Sequence, residues 1–107
     1  MTLHNYHVTD LADGRRIRWV YDEHYQSEGS FAYDTEAETA AAVAEEQAGI
    51  DSGRLVALGA IVEHRCPCCS QWVDDDSLWG IVAENRTAGL LQVAKDVGVV
   101  GADAVAL

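Results

Sequence analysis

The hydrophobic and polar positions change period along the chain, and each period predicts an element. The first is two-residue alternation around a turn. Asp13-Gly14 is a tight-turn dipeptide, because both residues tolerate positive φ. Reading it as a two-residue loop pairs Ala12 with Arg15, Asp10 with Ile17, Val8 with Trp19 and Tyr6 with Tyr21. That register puts Tyr6, Val8, Ile17, Trp19 and Tyr21 on one face and His7, Thr9, Arg16 and Arg18 on the other. A sheet covered on one side and wet on the other requires such a split.

A polar loop from Asp22 to Asp34 follows, and then the period becomes helical. Thr35 and Glu38 form a capping box. Ala37, Ala40, Ala41, Ala44 and Ala48 recur as a narrow stripe that predicts the buried face, with Gly49 as the left-handed stop. Asp51-Ser52-Gly53 is a turn. Leu55 to His64 reads as a central strand, apolar on both faces. Cys66 to Ser70 is a tight reversal, Gln71 to Val73 pairs back, and Leu78 to Ala83 is a further strand. Asn85 or Thr87 caps a second helix carrying Leu90, Leu91, Ala94 and Val97 on one face, stopped by Gly98. The apolar tail, 99–107, either docks on the sheet or frays. The expected fold is therefore α+β: a four-stranded antiparallel sheet in ββαββα order, with two helices packed on one face.

With 107 residues, of which 49% are hydrophobic, the chain fits one small domain, 1–107, with a modest core. No apolar run approaches the roughly eighteen residues of a membrane helix. Met1-Thr2-Leu3-His4-Asn5 lacks the basic-then-apolar pattern of a signal peptide, so a cytoplasmic location is expected. The net charge of -11 repels phosphate backbones, which argues against direct nucleic-acid binding and for a protein partner with a basic surface, or for solubility alone. Arginine dominates the basic residues and alanine is abundant, a bias associated with high-GC bacteria such as actinobacteria and their phages.

The concentrated chemistry lies in His64-Arg65-Cys66-Pro67-Cys68-Cys69-Ser70-Gln71-Trp72. Cys66 and Cys69 make a C-x-x-C that resembles one knuckle of a zinc ribbon, where two thiolates leave a tight turn between strands. Cys66 and Cys69 supply two ligands for Zn(2+), and His64 or Cys68 a third. The fourth comes from His4, His7, His24 or a carboxylate of Asp74, Asp75 and Asp76; alternatively two chains share one ion in a homodimer. Unligated thiols are the plain alternative. A thioredoxin-like redox role is disfavoured, because Ser70 onward does not read as a helix and the acidic run opposes thiolate formation. Counting from Asp74, Trp79 and Asn85 stand where an EF-hand loop needs glycine and glutamate, so the run reads as a solvated loop. No nucleophile–base order or phosphate-cradling glycine loop is present, so no catalytic residue is assigned and a non-enzymatic protein is expected. Trp72, beside Asp74, Asp75 and Asp76, is the candidate partner-binding surface. Trp79 is expected in the core.

The block Asp76-Ser77-Leu78-Trp79-Gly80-Ile81, followed by a helix through Leu90, Leu91 and Val97, resembles a pattern in small accessory proteins of bacteriophages and actinobacteria. That resemblance implies a phage-encoded interaction protein working in the host cytoplasm, and no particular mechanism. Two further readings are a zinc-stabilised binding module and an acidic DNA mimic that occupies a nucleic-acid-binding protein.

Overall fold

The computed structural model describes residues 4–25 and 35–107. The expected sheet and element order are present: β1 (Asn5–Asp10), β2 (Arg16–Tyr21), α1 (Glu36–Asp51), β3 (Leu55–Arg65), β4 (Trp72–Glu84) and α2 (Leu90–Asp96). The strands lie in the order β1-β2-β3-β4, with every pairing antiparallel. The expected loop after β2 is described only as far as Tyr25; residues 26–34 lie outside the described residues.

The first hairpin forms one residue out of the expected register. Asp10 pairs with Arg16, Thr9 with Ile17 and His7 with Trp19. The turn is a three-residue loop: Gly14 N–H donates to the Leu11 carbonyl at 3.1 Å, and Leu11 N–H to the Arg15 carbonyl at 2.8 Å. Gly14 takes φ +91°, the left-handed position at which this turn calls for glycine. The slip moves Val8 out to 36% exposure and puts Thr9 beside Trp19, whose indole Nε1–H donates to Thr9 Oγ1 at 3.2 Å. A bulge between Asn5 and His7 returns Tyr6 to the core side, where it packs against the buried cluster.

Ile17, Trp19, Leu58, Ala60, Val62 and Ile81 form one buried face. It is closed by Leu90 and Ala94 of α2 and by Val99 and Val100 of the tail. The tail docks: Ala106 bridges Leu11, and Leu107 N–H reaches the Asp10 carbonyl at 2.9 Å. On the opposite face Val20 and Ile61 are also buried, so β3 is covered on both sides as its apolar run predicts.

α1 departs from expectation along its length. Thr35 caps it as expected, accepting Glu38 N–H at 3.1 Å. The alanines of the stripe are all exposed, however, and Gly49 is the helix's one buried residue. Alanine methyls bury little area, so leaving them in water costs little, whereas a close seam needs a residue without a side chain. A Cβ on Gly49 would lie 2.6 Å from Leu55 Cδ1. The helix runs past Gly49 to Asp51, and the left-handed residue after it is Gly53, at φ +81°. The Tyr25 hydroxyl donates to Glu46, tying the segment after β2 to the helix.

Candidate functional site

The chemistry collects on the β3–β4 hairpin. The tip is the expected reversal. Cys66 N–H donates to the Gln71 carbonyl at 2.7 Å, and Ser70 N–H to the Cys66 carbonyl at 2.8 Å. Ser70 closes the turn at φ +60°, a left-handed position that a short polar residue tolerates. All three cysteines are free thiols; Cys68 and Cys69 are exposed and Cys66 is half-buried. The backbone N–H groups and thiols of Cys69 and Cys68 beside the Cys66 sulfur hold its pKa below that of an ordinary thiol.

His64 Nδ1 lies 2.6 Å from Asp75 Oδ1. His4 faces Glu23 at 3.6 Å. Among the described residues no group of three His, Cys, Asp or Glu side chains converges on a common point. The hairpin therefore brings Cys66, Cys68 and Cys69 to one tip, without placing His64, the other histidines or the aspartates as completing ligands.

The acidic run is not a loop. Asp74, Asp75 and Asp76 stand in the middle of β4, a single strand of 13 residues, with Asp74 opposite Glu63 and Asp76 opposite Val62. Pairing with the buried β3 holds these residues extended against their weak strand preference. Asp75 meets His64, and Asp76 Oδ1 accepts Ser77 N–H at 2.9 Å.

Beside this run lies a network that the sequence reading passed over. Registers Arg16↔Glu63 and Glu63↔Asp74 set three charged side chains in a row on one face of the sheet. Glu63 is 4% exposed; its Oε1 lies 2.9 Å from Arg16 Nε and 3.4 Å from Arg18 Nε. Burial alone would raise the Glu63 pKa, but the hydrogen bonds from Arg16 and Asp74 and the charges of both arginines outweigh it, so the carboxyl stays below the usual range. Asp74 shifts the other way, because it hydrogen-bonds to Glu63 and shares its negative surroundings. The readable signal was the one carboxylate inside an otherwise apolar strand, which needs a cationic partner.

Of the two tryptophans on this hairpin, Trp79 departs from its expected place. Trp72 is half-buried and meets two guanidinium groups, with Arg16 Cζ 3.9 Å and Arg65 Cζ 4.9 Å from its ring centre. Trp79, expected in the core, is 43% exposed and lays its ring over Gly59, where a Cβ would come within 2.5 Å of the ring. Val73 and Leu78 are also exposed, at 42% and 39%.

No family model, curated protein or solved structure matches the chain. Function must be argued from this hairpin. No helix among the described residues is long and apolar enough to cross a membrane.

Proposed function

We propose that the protein is a non-enzymatic interaction protein, of the phage accessory type, that docks β4 and its carboxylates on a basic segment of another protein. The observation that carries this reading is the position of β4. Among the described residues it ends the sheet, with no neighbouring strand on one side, and it exposes Val73, Leu78 and Trp79 around three aspartates. An open strand edge is a template for an added strand. The aspartates select the occupant. A second copy would set aspartate against aspartate, whereas an extended segment alternating cationic and apolar residues would find charge and apolar contact together.

A peptide of alternating lysine and valine is the direct probe, read by amide chemical shifts. Shifts confined to β4 that fade with added salt, and that Trp79→Ala with Asp76→Lys abolishes, are expected. Shifts that fall on β1 or α1 instead, or that survive the double substitution, would refute the reading. Cross-linking in the host would then identify the natural partner.

A further inference from the structure

The tip of the β3–β4 hairpin has a second use, independent of the β4 edge. Its turn places two sulfurs three residues apart in a reversal fixed by two backbone hydrogen bonds and by left-handed Ser70. Two thiols are half of the donor set that a tetrahedral thiolate site needs, and no other described residue completes it, because no third donor converges there.

We propose that Cys66 and Cys69 form a zinc half-site completed by the same two cysteines of a second copy, giving an ion shared by two hairpin tips. Zinc favours four ligands in a closed structural site, and two identical half-sites meet this by two-fold symmetry. Four thiols each release a proton to solvent as the ion binds, leaving a four-thiolate centre.

The location suits the encounter. β2 leaves β3 at Glu63, so the pairs His64↔Val73 and Arg65↔Trp72 carry the tip beyond β2. In a chain of net charge -11, residues 65–72 contain no carboxylate, and their one formal charge is Arg65. Two tips can therefore approach where the mutual repulsion of the chains is weakest, and Arg65 of each lies beside the anionic centre they would form. Cys68, between the two ligands, is left out.

The test uses the full chain, purified reduced and without chelator, with zinc and cobalt(II) as probes. One zinc per two chains is expected, in a dimer that a chelator returns to monomer. Cobalt should give the charge-transfer absorption of a four-thiolate site. Cys69→Ser should lose both metal and dimer, while Cys68→Ser keeps them. Far-UV circular dichroism should be unchanged in both variants, because both positions are exposed. Any of three results would overturn the proposal: no bound metal on titratable free thiols, one metal per chain, or metal loss in Cys68→Ser with retention in Cys69→Ser. A Cys66–Cys69 disulfide that re-forms in glutathione buffer with zinc present would overturn it too, and would assign the pair to redox chemistry.

Discussion

Removing the Glu63 carboxylate should be among the most damaging single changes on its face of the sheet. Glu63 is the sole buried charged residue among those described, and both of its cationic partners come from the neighbouring strand. Glu63→Ala leaves Arg16 and Arg18 facing each other across the vacated site. Breaking a fully buried pair costs about 3–5 kcal/mol. Here the arginine side chains keep 23% and 21% of their exposure, so they can turn partly to water. That reduces the expected loss to about 2–3 kcal/mol, the upper part of the usual range for single substitutions. For a domain of this size such a loss lowers Tm by roughly 10–20 °C. Glu63→Gln keeps the stem and an oxygen for Arg16 Nε while removing the charge, and should lose about 1 kcal/mol. Urea unfolding followed by tryptophan fluorescence, with circular dichroism as a second probe, measures both. Combining Glu63→Gln with Arg18→Met should give a non-additive total, since the two residues share one contact. If Glu63→Ala stays within about 0.5 kcal/mol of the parent, the network carries no stability and the reasoning fails.

Asp74→Asn should stabilise at pH 7 by a few tenths of a kcal/mol, because it replaces a like charge beside Glu63 with an amide donor. The sign follows from the raised Asp74 pKa: the folded state holds that proton more tightly, so the contribution is present below the unfolded pKa and lost as pH rises through the folded one. The advantage of the variant should therefore shrink toward about pH 3.5, as paired urea midpoints at the two pH values would show. Leu90→Ala should cost about 2–4 kcal/mol, because Leu90 is 2% exposed in the core, whereas Ala41→Glu on the exposed side of α1 should change stability by less than about 0.5 kcal/mol. Thermal melts of the pair would tell which helix the core depends on. Gly80→Ala forces a Cβ onto a residue at φ +74° and should cost about 1 kcal/mol or more by urea titration, although no neighbouring atom blocks the methyl.

The order of elements was legible because turn chemistry marks it: Asp13-Gly14, Thr35 with Glu38, Gly53, Cys66 to Ser70 and Gly98 all fall between or at the ends of elements. Register was not, because one dipeptide fits both a two-residue and a three-residue loop, and only the turn's hydrogen bonds, with Gly14 but not Asp13 at positive φ, separate them. The continuity of β4 was hidden for a different reason. Three aspartates in a row disfavour a strand locally, and only the partner strand makes one there. Exposure of the α1 alanines was equally invisible, since periodicity records a face without saying what covers it. At the site, the cysteine turn could be read from spacing, but the contact of Arg16 with Trp72 depends on β2 and β4 lying either side of β3.

The connectivity of β3 implies an order of assembly. Its hairpin with β4 closes over a short turn, while its pairing with β2 must wait for everything between Tyr21 and Leu55 to be gathered in. Until β2 arrives, Glu63 has no arginine, so the step that joins the two halves of the sheet is also the step that neutralises its interior. Substitutions at Arg16 or Arg18 should then slow that late joining rather than the early closure of the cysteine-bearing ribbon.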